Sequence, residues 1–280
     1  MSDGESGTGG CRAGGGEGGG AVRRRRRGIA AVAGTAVAAA GVAAGGRAVV
    51  AAATTPGVAN RWTLVTGVVL CYVVGFLAYH VDADRLAAAA APPNLVTTIR
   101  GVLYAATAGF LAVPPSSVAG VLGAAGVGAP PAAVRWAPAL CYGAGVALDF
   151  ADGRLARRTD RTTPLGTKLD HAFDTLGFLV APLVGVAWGR LPVAYLALSA
   201  ARYVYRAATT WRRWRGRPVG DLPESRVRRP LAALQMAFIA VALTPLLPAV
   251  TVHTAALVAV VPSLATFGRD YLVVTGRLGA

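Results

Sequence analysis

The sequence predicts an all-α polytopic membrane protein, and composition and apolar run length lead to that fold class. Of the 280 residues, 54% are hydrophobic and only 15% are charged. The mean hydropathy of +0.52 is accordingly far from that of an ordinary soluble domain. Several apolar runs approach the roughly 20 residues that cross a bilayer as a helix. The expected architecture is a six-helix transmembrane core preceded by two extra transmembrane helices.

Eight helices are expected to span the membrane. The two N-terminal spans are an Ala-rich run at residues 29–52 and the more apolar stretch WTLVTGVVLCYVVGFLAYHV at residues 62–81. Prolines separate the later spans, which are expected at residues 94–113, 133–152, 166–188, 191–211, 230–248 and 251–270. A cleaved signal sequence is the alternative interpretation of the first Arg-rich and Ala-rich segment.

Three regions follow from this pattern. Residues 1–27 are rich in Gly and Arg and lack the apolar content for a packed core, so they are expected to form a disordered cytoplasmic tail. Residues 28–91 form the extra transmembrane hairpin. Residues 92–280 form the core.

The basic residues predict the orientation. The net charge of +15 comes almost entirely from arginine, since Lys168 is the single lysine. If residues 23–27 are cytoplasmic, the Arg-rich segments 153–165 and 212–229 fall on the same side, as the positive-inside rule requires. The basic charge is thereby explained without nucleic acid, which is not an expected partner. The protein is expected in the cell membrane with its site facing the cytoplasm.

The carboxylates are concentrated in one window. Between residues 86 and 220 all five acidic residues lie within DFADGRLARRTDRTTPLGTKLDHAFD, residues 149–174. A carboxylate near a bilayer is costly, so a cluster of them there indicates a functional site.

Two groups of residues in this window each share one face of a predicted helix. The first group is Asp149, Asp152, Gly153 and Ala156, and the second is Gly166, Asp170 and Asp174. Antiparallel helices would aim four carboxylates at one point, where their repulsion requires a compensating charge. Because the three Cys and three His are scattered, hard oxygen ligands for Mg²⁺ or Mn²⁺ are favoured over a zinc site. The small residues leave room for a ligand, and Arg157 adjoins them as a phosphate partner.

The order and spacing of these residues resemble the signature of the CDP-alcohol phosphotransferases, also called CDP-alcohol phosphatidyltransferases. The matching pattern is Asp149-x2-Asp152-Gly153-x2-Ala156-Arg157-x8-Gly166-x3-Asp170-x3-Asp174. A second stretch, PNLVTTIR at Pro93 to Arg100, resembles the start of that family's first core helix. The resemblance extends over roughly residues 92–275 and leaves residues 1–91 unexplained.

The resemblance implies a metal-dependent membrane enzyme of phospholipid synthesis. Such an enzyme transfers a lipid phosphoryl group from a CDP-linked lipid (CDP-diacylglycerol or an ether-lipid analogue) to a small alcohol and releases CMP. It implies two Mg²⁺ or Mn²⁺ ions at Asp149, Asp152 and Asp170, with Asp174 near the metals as the general base. The nucleotide-binding residues it implies are Gly153, Ala156, Arg157, Gly166, Asn94 and Thr97. A homodimer is the expected assembly.

The acceptor alcohol is less sharply indicated. The segment ARYVYRAATTWRRWRGRP and the later RRPLAALQM resemble a region of phosphatidylglycerophosphate synthases, with Arg202, Arg206 and Gln235 in similar places. Arg202, Arg206 and Arg228 would then hold the phosphate of an acceptor such as glycerol 3-phosphate. Those synthases usually carry Lys after the last Asp, whereas Thr175 stands here. Inositol phosphate and serine therefore stay open as acceptors, and the arginines equally fit the positive-inside rule.

A membrane transporter is the alternative function class. A transporter that uses carboxylates as an ion path places them near the midplane of broken helices. The four aspartates lie instead at predicted helix ends beside a basic loop, which favours the enzyme.

Overall fold

The computed structural model describes residues 16–80, 92–113, 132–159, 164–220 and 227–278. These residues form eight α-helices and no strand, which confirms the predicted all-α class. The helices are α1 (Gly16–Ala53), α2 (Pro56–His80), α3 (Pro92–Gly109), α4 (Ala132–Thr159), α5 (Pro164–Ala187), α6 (Leu196–Trp214), α7 (Arg228–Ala242) and α8 (Ala249–Val274). A short 3₁₀ turn, Phe110–Ala112, continues α3.

Five stretches in the described parts of the chain are long and apolar enough to cross a membrane. They are Val32–Ala53, Pro56–His80, Asn94–Ala112, Leu165–Ala187 and Ala249–Val274. The apolar part of α7, Pro230–Ala242, is shorter. The spans predicted at residues 133–152 and 191–211 coincide with α4 and α6, but charged side chains lower the hydropathy of both helices. The chain is a polytopic membrane protein, and the crossings by α4, α6 and α7 stay predictions.

The N-terminal helix is longer than the sequence indicates. Helix α1 begins at Gly16 and runs through residues 23–27, where a tail without structure is expected. Arginine is a good helix former, and extending an existing helix costs little compared with starting one. The boundary predicted between hairpin and core falls in residues 81–91, outside the described residues.

Helix α3 is the centre of the bundle. It contacts α1, α2, α4 and α5, and its span is the most buried of the five. Small residues at the helix interfaces allow this close approach. A Cβ added to Gly145 on α4 would lie 2.5 Å from the Tyr104 ring of α3, and one added to Gly177 on α5 would lie 2.8 Å from it. The Tyr104 ring therefore lies between two glycines that let all three helices meet.

The N-terminal hairpin packs directly against this centre. Trp62 of α2 is 1% exposed, and a Cβ on Gly109 of α3 would lie 2.5 Å from its indole nitrogen. Further along α2, Val73 and Leu77 join a buried apolar cluster with Phe173 of α5. Helix α2 thus supports both α3 and α5.

Arg190 joins the turn between α5 and α6 to the turn between α7 and α8. Its guanidinium donates hydrogen bonds to the carbonyl oxygens of Ala242 at 3.0 Å, Thr244 at 2.6 Å and Leu247 at 2.8 Å. These carbonyls belong to the end of α7 and the turn into α8. The α5–α6 turn is therefore fixed to the α7–α8 turn, which holds these four helices together.

We expect Gly145→Ala to lower the unfolding temperature of the purified protein in detergent. The added methyl group would overlap the Tyr104 ring, which is fully buried and has no space to move. Overpacking of this kind costs about 1–3 kcal/mol. The measurement is thermal unfolding followed by tryptophan fluorescence.

Gly143→Ala on the same helix is the matched control, because its Cβ meets only the Ala240 methyl group at 3.9 Å. Alanine also favours a helix over glycine by about 0.5–1 kcal/mol, so its unfolding temperature should stay the same or rise. Equal losses in the two variants would contradict the packing described for α3.

Candidate active site

Three of the four predicted aspartates converge on one arginine. Nη1 of Arg100 lies 2.8 Å from Oδ1 of Asp149 and 2.7 Å from Oδ1 of Asp170, and Nη2 donates to Asp174. Arg100 belongs to α3, Asp149 to α4 and the other two to α5. Arg100 is one turn from Tyr104, Asp149 one turn from Gly145 and Asp174 nearly one turn from Gly177. The close approach of the three helices at Tyr104 therefore also brings these charged groups together one helical turn away.

Arg100 and the carboxylate cluster (Asp149, Asp170 and Asp174) differ in burial and in number of charges. The Arg100 side chain is 0% exposed, whereas those of Asp149, Asp170 and Asp174 are 29%, 47% and 28% exposed. One guanidinium cannot neutralise three carboxylates. The site is therefore buried on the side of Arg100 and open on the side of the carboxylates. Its net charge is negative when the three carboxylates are ionised.

The donor set fits divalent metal. One oxygen from each of the three carboxylates lies within 4.8 Å of the other two. Carboxylate oxygens are hard ligands of the kind that Mg²⁺ and Mn²⁺ prefer. The excess negative charge and the partial exposure also suit an ion that arrives from water. Asp152 lies one turn after Asp149 on α4, and its side chain is outside the described residues.

Three of the six predicted nucleotide-binding residues can be placed at the same end of the bundle as the carboxylate cluster. Asn94 and Thr97 are buried on α3, within two turns of Arg100, and Gly166 lies in the first turn of α5. Because Arg100 joins these helices beside Asp149, the starts of α3 and α5 lie near the end of α4. The side chains of Ala156 and Arg157, and the surroundings of Gly153, in the last turns of α4 are outside the described residues.

A cavity of about 250 Å³ opens beside the cluster, between α5, α6, α7 and α8. Its lining is mostly apolar, with Thr175 from α5, Arg202 from α6 and Arg228 from α7 among its polar side chains. Nη2 of Arg202 lies 3.4 Å from Nδ1 of His171, the residue after Asp170. The cavity therefore adjoins the cluster through α5. Arg206 is exposed on α6 and does not line the cavity.

An acidic residue also faces this cavity. Nε of Arg228 lies 3.1 Å from Oδ2 of Asp270, which lies near the end of α8 and is buried. Deeper inside, the Gln235 amide donates to the Ala259 carbonyl at 2.6 Å and to Ser263 Oγ at 2.9 Å, and it accepts from the Tyr195 hydroxyl. Gln235 therefore ties α7 to α8, while the charged groups of the cavity lie on Arg202, Arg228 and Asp270.

Sequence reasoning assigned no role to Arg100 or Asp270. Arg100 stands in the quoted stretch PNLVTTIR and is the single charged residue of residues 92–113. Asp270 is the single acidic residue after Glu224. A charge inside an otherwise apolar span indicates a function, and that rule singles out both residues.

The comparisons with known proteins agree with this geometry. A sequence model of the CDP-alcohol phosphatidyltransferase family matches residues 90–263, from the start of α3 into α8. No curated protein and no solved structure matches the chain. The match covers more than half of the sequence and contains Arg100, the carboxylate cluster and most of the cavity lining. Phosphatidyl transfer from a CDP-linked alcohol to an acceptor alcohol is the reaction of this family. The chain therefore belongs to the CDP-alcohol phosphatidyltransferase family.

Proposed function

We propose that the protein is a metal-dependent membrane enzyme that transfers the lipid phosphoryl group of a CDP-linked lipid to a small phosphorylated alcohol. The observation that carries the proposal is that the carboxylate cluster and a cavity with two arginines share α5, where Thr175, the residue after Asp174, lines the cavity. The cluster supplies the reacting centre and the cavity supplies a place for the acceptor. CDP-diacylglycerol or an ether-lipid analogue is the donor.

The acidic residues divide into metal ligands and a base. Asp149, Asp152 and Asp170 hold two Mg²⁺ or Mn²⁺ ions, with Asp174 near them. When bound, the ions stabilise negative charge on the attacked phosphoryl group and on the leaving CMP. Asp174 takes the proton from the acceptor hydroxyl. The acceptor oxygen forms a bond to the lipid-side phosphorus, and the bond from that phosphorus to the CMP oxygen breaks.

The nucleotide lies over the small residues at the meeting of α3, α4 and α5. Gly153, Ala156 and Gly166 are assigned to the nucleotide because small residues suit a closely approaching ligand, Arg157 is assigned to a phosphate, and Asn94 and Thr97 are assigned as polar contacts. Arg154, Arg157 and Arg158 lie in the last turns of α4 and Arg161 follows them, so the positive-inside rule favours the cytoplasmic side for this end of the bundle. CMP and the acceptor then exchange with the cytosol while the lipid tails stay in the bilayer.

The acceptor occupies the cavity between α5 and α8. Arg202 and Arg228 favour a phosphorylated acceptor, glycerol 3-phosphate or inositol phosphate, because guanidinium groups bind phosphate through paired hydrogen bonds. Arg206, on the exposed face of α6, contributes charge at the approach to the cavity. Asp270 favours serine as the second candidate, since a carboxylate beside arginines suits an acceptor that carries an ammonium group. A homodimer stays a prediction from the family resemblance.

We expect Asp174→Asn to reduce CMP release from CDP-diacylglycerol by about 10²- to 10⁴-fold, the typical effect of losing a general base. CMP affinity should be retained, because binding relies on the metal ligands and the nucleotide-binding residues. The assay follows CMP release by purified protein in detergent with Mn²⁺, with acceptors tested in parallel.

Lys168→Gln is the control, since it changes an exposed charge on the same helix and should leave turnover unchanged. A transporter that uses the carboxylates as an ion path would release no CMP with any acceptor. Full turnover by Asp174→Asn would remove the base assignment but leave the transferase.

We expect Arg202→Gln to raise the KM for a phosphorylated acceptor by about 10- to 100-fold, as expected for the loss of a charge-assisted hydrogen bond. The KM for CDP-diacylglycerol should stay near the wild-type value. Arg213→Gln is the matched control, because Arg213 is exposed on the same helix and does not line the cavity. An equal rise in both variants would show a general charge effect and would contradict the cavity as the acceptor site.

A further inference from the structure

Arg100 occupies the side of the carboxylates that a metal ion would also need to approach. Its two terminal nitrogens contact one oxygen on each of the three carboxylates, the groups proposed as metal ligands or as their neighbour. A divalent ion must approach carboxylate oxygens to about 2.0–2.6 Å. Two cations at such separations repel strongly, and more so where water is scarce.

The Arg100 side chain has little freedom to move away from the three carboxylates. Its side chain is fully buried, and its helix is held by the Tyr104 ring between Gly145 and Gly177. The neighbouring Gly101 is also close to its surroundings, with an added Cβ 3.1 Å from Val73 and 3.2 Å from Phe173. The backbone of α3 is therefore fixed, and only the guanidinium end can turn.

We propose that Arg100 is a built-in counter-cation that holds the carboxylate cluster together without metal and competes with divalent ions for it. The inference rests on the metal site of the proposed function. Without Arg100, three carboxylates within 4.8 Å would repel one another. With it, the site stays assembled between turnovers, and its affinity for metal is lower than three carboxylates alone would give. Metal binding turns the guanidinium away from at least one carboxylate.

The test compares wild-type protein with Arg100→Met, which keeps a long apolar side chain and removes the charge. Full-length protein in detergent is stripped with EDTA, and Mn²⁺ is titrated in the absence of lipid and nucleotide. Free Mn²⁺ is measured by electron paramagnetic resonance, and the unfolding temperature is measured at each concentration. Arg135→Met is the control, because Arg135 is exposed on α4 and far along the helix from Asp149.

In EDTA, Arg100→Met should unfold at a lower temperature than wild type, and saturating Mn²⁺ should restore most of the loss. Its dissociation constant for Mn²⁺ should be lower than that of wild type by roughly tenfold or more, since a competing charge is gone. Arg135→Met should match wild type in both measurements. Arg100→Lys, which keeps the charge but not the forked donor geometry, should lie between wild type and Arg100→Met.

Four results would overturn the proposal. Equal Mn²⁺ affinity in wild type and Arg100→Met would show that the cations do not compete, and weaker affinity in the variant would show that Arg100 supports bound metal instead. A variant that stays unfolded in saturating Mn²⁺ also contradicts the proposal, because the ion should replace the missing guanidinium. If no protein binds Mn²⁺, the metal site of the proposed function fails together with this inference, whereas equal binding removes the inference alone.

Discussion

The burial of one guanidinium among three carboxylates is the interaction on which the site geometry depends. A charge inside a helical bundle is costly unless it is paired and hydrogen-bonded. Arg100 is fully buried on the central helix, so Asp149, Asp170 and Asp174 have to meet it. This requirement fixes the rotation of α3, α4 and α5 about their axes. The glycines around Tyr104 make the required approach possible.

The part of the chain outside the family match still contributes to this arrangement. The match begins at residue 90, yet α2 packs its Trp62 on α3 and its Val73 beside Phe173 of α5. Phe173 directly precedes Asp174. The N-terminal hairpin therefore supports the two helices that carry Arg100, Asp170 and Asp174, and a core without it would expose apolar surface on both.

Much of the fold and of the site could be predicted from the sequence, because the relevant signals are local. Apolar run length and prolines located the helices, and helical phasing brought Asp149, Asp170 and Asp174 to one place. The start of α1 was wrong because a Gly-rich composition hides a helix that continues from an Ala-rich run. Arg100 and Asp270 were missed because their partners lie on other helices, and such pairings depend on packing rather than on spacing. The roles of the site residues stay predictions.

In the proposed function the carboxylates of α4 and α5 hold two divalent ions side by side. Electron paramagnetic resonance of the purified protein with two equivalents of Mn²⁺ and CMP tests it most directly. Two ions in one site lie about 3.5–4 Å apart, so their electron spins couple and the spectrum differs from that of isolated ions. We expect a coupled pair in the wild-type protein and its loss in Asp170→Asn. A spectrum of isolated ions, or of free Mn²⁺ alone, would contradict it.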